Sequence, residues 1–323
     1  MDMGAYEADT RPSVLCFGSL NTDYVYRVAR FARPGETIMS QERSVFCGGK
    51  GLNQSIALAR AGARAFHVGA VGCDGGDALI ERLERSGVDT RFVVRRDGPG
   101  GHTVIQVDEQ GHNSILVYGG ANRTIGEEDF ARAISAFGDG DYAVIQNEIN
   151  LVDEIMKRAK AHGMRIVLNP SPMDGGALWL PYELCDILVL NEKEATALLR
   201  ARQPGGAPPA ADEPFGKGAA LAALFPGASV ALTFGDEGAM LATPSGVYAQ
   251  SAFEVEVVDT TAARDTFTGY LVASIASGLE PQAALKRACA AASISASRAG
   301  AEPSIPWTMD VDVFMQPRGE TYG

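Results

Sequence analysis

What the chain lacks narrows it first. No apolar run is long enough to span a bilayer, and the opening stretch, Met1 to Thr10, is polar, loose and unlike a signal peptide. Cysteine is sparse. Cys16, Cys47, Cys73, Cys185 and Cys289 lie far apart and never as Cys-x-x-Cys, which argues against a disulfide framework and predicts a reduced, cytoplasmic setting. Four scattered histidines form no zinc constellation. Basic residues are outnumbered, 28 against 40 acidic for a net charge of −12, so a nucleic-acid partner, which wants a basic face, is not expected. The acidic residues are scattered, as on a solvated surface. There is no G-x-G-x-x-G, which weakens a Rossmann dehydrogenase, and no internal repeat.

What is present is enough apolar material to bury a large core. The chain has 323 residues, 46% of them hydrophobic, which suits one large α/β domain or two small ones. Continuous apolar runs at Val14 to Gly18, Ala65 to Gly72, Tyr142 to Gln146, Met164 to Leu168, Asp186 to Leu190 and Val230 to Phe234 read as strands. Helical patterns lie between them, such as Asp77 to Ser86 and Leu151 to His162. That alternation predicts a mostly parallel sheet covered on both faces. Tyr24 to Val28 and Thr37 to Cys47 are more polar and predict a small exposed sheet. Phe92 to Arg95, His102 to Val107 and Asn113 to Val117 read as a second patch of short strands that could join it as a lid. Ala201 to Pro214, rich in Ala, Pro and Gly, predicts a surface loop.

Two stretches carry chemistry. Cys47-Gly48-Gly49-Lys50-Gly51-Leu52-Asn53-Gln54 opens a helix that Gly62 ends, and its glycines let backbone approach a ligand. The spacing is not that of a P-loop, and Lys50 could equally be a solvated lysine on a tight turn. Val255, Val257 and Val258 read as a strand end running into a turn of small residues. A helix then starts near Asp265, with Phe267, Tyr270, Leu271 and Ile275 at helical spacing. A helix start favours phosphate, and a carboxylate beside phosphate makes sense as a base for an attacking hydroxyl. Asp265 could also be an ordinary N-cap. Asn21, Asp23, Glu148, Asn169, Asn191, Glu194 and Gly235 follow strand ends, where ligands bind in open α/β sheets.

In order and spacing the chain resembles the ribokinase-like (PfkB-type) sugar kinases. The resemblance covers Ser13 to about Phe314. It rests on Gly18 to Asp23, Pro34 to Thr37, Gly48 to Gln54, Gly119 to Asn122, Leu168 to Pro172, Asn191 to Glu194, Thr233 to Gly238 and Val258 to Phe267. It implies a three-layer α/β/α kinase domain over 11–315, with a small β lid from segments 23–46 and 96–118. It implies ATP-dependent phosphorylation of the primary hydroxyl of a pentose, ribose at O5 first, with a nucleoside, deoxyribose or a ketose as alternatives. Asn21, Asp23, Gly49, Lys50, Asn53 and Glu148 would hold the sugar, and Asp265 would be the base. Asn191, Thr233, Gly235, Gly238, Ala262, Ala263 and Arg264 would meet the nucleotide. Glu194 would organise Mg²⁺ through water. Asp259, Thr261, Ser295, Arg298, Gly300 and Ser304 would hold K⁺, mostly through carbonyls. A homodimer through the lid is also implied.

Arg264 departs from the pattern, which has glycine before the catalytic aspartate. Arg does not readily adopt positive φ or allow close approach. Its side chain could point away, fold over the phosphates, or fill the γ-phosphate site. The last is the expectation, and it makes a catalytically impaired sugar- or nucleotide-binding homologue the alternative to an active kinase.

Overall fold

The computed structural model describes residues 11–202 and 214–316. The chain opens with β1 (Ser13–Phe17), every residue of which is buried, as expected of a central strand. It then crosses into a half-exposed ribbon, β2 (Asn21–Arg27) and β3 (Glu42–Gly48). Helix α1 (Lys50–Arg60) returns it to the core through β4 (Arg64–Val71), α2 (Gly76–Arg85) and β5 (Asp89–Arg95). A second excursion makes β6 (Gly101–Val107) and β7 (Asn113–Tyr118). Alternation resumes with α3 (Glu127–Ile134), β8 (Tyr142–Gln146), α4 (Val152–Ala161), β9 (Arg165–Asn169), β10 (Cys185–Asn191) and α5 (Glu192–Arg202). After α6 (Pro214–Leu224) come β11 (Ser229–Thr233), β12 (Ala239–Thr243) and β13 (Gly246–Gln250). Helices α7 (Ala263–Ala276), α8 (Pro281–Ala296) and α9 (Thr308–Phe314) follow.

Nine strands form the main sheet in the order β13-β12-β11-β10-β9-β8-β1-β4-β5. β11 through β5 run parallel, and β12 and β13 add an antiparallel hairpin at one edge. Two buried clusters, one on each face, complete an α/β/α sandwich. Inward Leu, Ile, Val and Phe residues contribute about 1.5–3 kcal/mol each. The second sheet, β3-β2-β6-β7, is mixed and stands outside the sandwich. Its β7 is exposed along its whole length.

Several expectations need correction. Phe92 to Arg95 belongs to the main sheet, since β5 pairs with β4 in parallel. The stretch with Val255, Val257 and Val258 is not a strand. It pairs with neither sheet; the Val258 N–H donates instead to the Ala296 carbonyl at 2.9 Å, and Val257 and Val258 stay exposed. The predicted strand Thr37 to Cys47 forms only from Glu42. In the expected loop 201–214, residues 201–202 finish α5 and Pro214 starts α6, while 203–213 lie outside the described residues, as do Met1 to Thr10.

The contact that sets the site is the crossing of α1 and α7. A Cβ on Gly269 would lie 2.4 Å from Ala57 Cβ, so the two helices meet backbone to backbone. Asp265 stands one turn before Gly269, and Asn53 one turn before Ala57. The crossing therefore places the carboxylate against the amide.

Candidate active site

Asp265 lies in the first turn of α7, only 8% exposed. Asn53 Nδ2 donates to its Oδ2 at 3.0 Å, and Gln54 Nε2 donates to its Oδ1 at 2.9 Å. Burial raises its pKa above the ordinary carboxylate value, against the pull of Lys50 and the two amides. The group is thus a buried carboxylate whose ionised form is held by donors, which suits a proton acceptor.

Beside it is a cluster of polyol-binding type. Lys50 Nζ pairs with Glu148 Oε1, and Ser19 Oγ donates to Glu148 Oε2. The Lys50 backbone N–H also reaches Glu148 Oε2, at 3.0 Å. Burial would raise the Glu148 carboxyl, but Lys50 and these hydrogen bonds prevail and hold it below its usual range. Gly49, the residue before α1, takes φ 96°, and a Cβ there would crowd the Ser19 carbonyl at 2.9 Å. Asn21 Oδ1 accepts from Asn122 Nδ2 at 2.7 Å. Asp23, from the second sheet, accepts from Thr103 Oγ1 at 2.6 Å, and burial pushes its pKa up to about 6. The structure thus gathers Asn21, Asp23, Gly49, Lys50, Asn53, Glu148 and Asp265 where the two sheets meet.

A cavity of about 500 Å³ lies at the start of α7. Thr233, Gly235, Gly238, Ala263 and Arg264 border it, and Phe267 and Cys289 add an apolar wall. Asn191 and Glu194 cap α5 reciprocally: each backbone N–H donates to the other's side chain at 2.9 Å. Arg264 Nη1 donates to Glu194 Oε1 at 2.8 Å, and Nη2 to Ser171 Oγ at 3.0 Å. The expected backbone conflict at Arg264 does not arise. Arg264 is helical, and the left-handed residue is Ala262, at φ 63°. The Arg264 side chain joins Glu194 and Ser171 while bordering the cavity.

The predicted cation residues also converge. Asp259 accepts from the Thr261 and Gly300 backbone N–H groups at 2.9 and 3.0 Å, and Ser295 and Ser304 share a hydrogen bond of 2.8 Å. The Arg298 guanidinium turns instead to Asp310, at 3.3 Å. The donors these residues offer are oxygens, the ligand type that a hard cation takes. At Glu194, where Mg²⁺ is expected through water, Arg264 already lies on Oε1 and the Asn191 N–H on Oε2, so a divalent ion there would meet a cation in place.

Sequence reasoning missed the amide network behind Asp265. Gln54 Oε1 accepts from Gln146 Nε2 at 2.7 Å, Gln54 Nε2 also donates to Asn169 Oδ1 at 3.2 Å, and Asn169 Nδ2 donates to the Val189 carbonyl at 3.0 Å. That carbonyl can only accept, so it fixes every amide upstream and turns the Gln54 NH₂ toward Asp265. The signal was available: Gln146 is a polar residue closing the buried strand Tyr-Ala-Val-Ile-Gln.

The family model for pfkB carbohydrate kinases matches residues 11–308, and the chain belongs to that family. It is a ribokinase-like phosphotransferase of an ATP-dependent kinase family. A ribokinase of Staphylococcus aureus is 35% identical over 309 residues, covering 93% of this chain and 98% of that protein. The crystal structure of ribokinase from Cryptococcus neoformans in complex with ADP matches with a TM-score of 0.83 at 31% identity, covering 94% of this chain and 99% of the other. The Arabidopsis thaliana ribokinase complexed with ribose and ATP matches at 0.82 and 28%, covering 95% of this chain and all of the other (100%). Among the described residues no helix is long and apolar enough to cross a membrane.

Proposed function

We propose that the protein transfers the γ-phosphoryl group of ATP to the primary hydroxyl of a pentose, with D-ribose at O5 as the preferred acceptor. One observation carries this: Asp265, buried and held by Asn53 and Gln54, shares the first turn of α7 with Ala263 and Arg264, which border a cavity of nucleotide size. Asn21, Asp23, Gly49, Lys50, Asn53 and Glu148 offer amides, carboxylates and an ammonium to sugar hydroxyls. Asp265 accepts the proton of the attacking hydroxyl as the O–P bond forms. Thr233, Gly235, Gly238, Ala262 and Ala263 line the nucleotide, with Asn191 and Arg264 at its phosphate end. Asp259, Thr261, Ser295, Gly300 and Ser304, with the Arg298 backbone, would hold K⁺, which would steady the turn before α7. The second sheet, carrying Asp23, closes over the sugar and excludes water. Two copies pair through its exposed strands, in the cytoplasm.

The likeness to ribokinases supports the sugar class, and Asp23 and Glu148 support a polyhydroxyl ligand. The test is ADP release with ribose, deoxyribose, a ketose and a nucleoside as acceptors. Clear preference for ribose is expected, and clear preference for a nucleoside or ketose overturns the ribose assignment. Calorimetry showing ribose binding with no turnover would favour the impaired homologue that Arg264 motivates.

A further inference from the structure

We infer that Arg264 is a built-in cation of the phosphate end of this site, doing for Glu194 what a divalent metal would otherwise do. The inference rests on the cavity being the nucleotide site, as proposed above. Glu194 is 6% exposed at the start of α5 and meets the cavity through Arg264, which borders it. Alone it would repel a polyphosphate, and a divalent ion would be needed between the two. Here the guanidinium already lies on Oε1, at 2.8 Å, while Oε2 takes the Asn191 N–H. A hydrated metal approaching the remaining lone pairs of this carboxylate would meet a group that is itself cationic.

The position of Arg264 suits a second task. It sits one residue before Asp265 in the first turn of α7, where helix N–H groups already favour an anion. Guanidinium has five donors in a planar fork, so it can keep Glu194 and Ser171 and still offer N–H groups to phosphate oxygens. Its side chain is 29% exposed and borders the cavity. Two lysines of the region are committed elsewhere: Lys50 pairs with Glu148, and Lys217 with Glu192 at 3.2 Å. Arg264 is therefore positioned to bridge carboxylate and polyphosphate, and to weaken the coupling between nucleotide binding and magnesium.

The experiment is calorimetric titration of the full chain with ADP, in excess EDTA and in excess Mg²⁺, for the wild type, Arg264→Gln and Arg264→Gly. The wild-type affinities are expected to differ by less than about fivefold between the two buffers. In the variants the gap widens by about tenfold or more, within the usual range of coupling between two ligands, and the loss falls in EDTA. A large wild-type gap that Arg264→Gln leaves unchanged overturns the inference, as does tighter binding by the variants in both buffers, which would mark Arg264 as an obstruction. The wild-type pair of titrations stands without any variant folding. ADP binding only with Mg²⁺ sinks this inference and leaves the kinase reading intact. No ADP binding in either buffer overturns the nucleotide site and the inference together.

Discussion

Replacing Gln54 with Leu would remove one of the two amide donors that hold Asp265, and nothing of the sugar cluster. The hydrogen bond lost is 2.9 Å long and goes to a buried carboxylate. Hydrogen bonds to charged groups contribute roughly 1.5–3 kcal/mol, which corresponds to about one to two pKa units. Burial already pushes Asp265 upward, and Gln54 is among the groups opposing it. The variant should protonate Asp265 at higher pH, so the acid limb of the kcat–pH profile should move up by about one to two units. Stability should fall as well, because Asn169 Oδ1 loses its partner and Gln146 Nε2 keeps only Cys16 Sγ at 3.4 Å; a buried unsatisfied group costs about 1–3 kcal/mol. The assay is coupled ADP release from pH 5 to 9 beside a thermal melt. A lower Tm with an unmoved acid limb would refute the reasoning and leave Gln54 as packing alone.

Three further outcomes are expected. Gly269→Ala would drive a Cβ to 2.4 Å from Ala57 Cβ, forcing α1 and α7 apart; overpacking of this kind costs about 1–3 kcal/mol and should reduce kcat by moving Asp265 off Asn53, and unchanged kcat and Tm would contradict it. Asp23 has a folded pKa of about 6 against an ordinary 3.8, raised first by burial, so ionising it in the folded state costs stability that grows as pH rises through that window. Asp23→Asn should therefore raise Tm at pH 8 by several degrees, from on the order of 2–3 kcal/mol, but hardly at pH 3, while kcat/KM for sugar falls; equal Tm shifts at both pH values would count against the assignment. β7 exposes Ile115, Leu116, Val117 and Tyr118, with Leu116 at 70%, so light scattering should give twice 34.0 kDa, and Leu116→Glu should give the single mass; a wild-type monomer well above micromolar concentration removes the dimer.

Which parts were legible follows from where the information sits. β1, β4, β8 and β10 are buried on both faces and read as unbroken apolar runs, and α1 is framed by glycines, so local sequence sufficed. Phe92 to Arg95 carries charges at its borders, like an edge or lid strand, and only its pairing with β4 assigns it to the main sheet. Val255 to Val258 is valine-rich like a strand yet pairs with neither sheet, bonding α8 through Ala296 instead, and two of its valines remain exposed. The β12–β13 hairpin, rich in alanine and glycine, gave little signal. In the site, residues grouped in short motifs were legible: Gly49, Lys50 and Asn53 in one, Asp265 in another. The Gln54–Gln146–Asn169 network joins residues about a hundred positions apart, and its amide orientations depend on a single backbone carbonyl. Arg264 was visible as a misfit, but its direction was not, because that depends on Glu194, seventy residues away.

The central claim is that Asp265 takes the proton of a sugar hydroxyl during phosphoryl transfer. Asp265→Asn keeps the shape and removes the base, so the direct measurement is ribose-dependent ADP release by the wild type and this variant, with ribose affinity measured in parallel by calorimetry. General-base assistance is worth about 10²–10⁴-fold, and kcat should fall by that order while ribose affinity changes little. Ribose-dependent turnover in the variant within a fewfold of the wild type would contradict the account, as would ATP consumption in the wild type that no sugar stimulates.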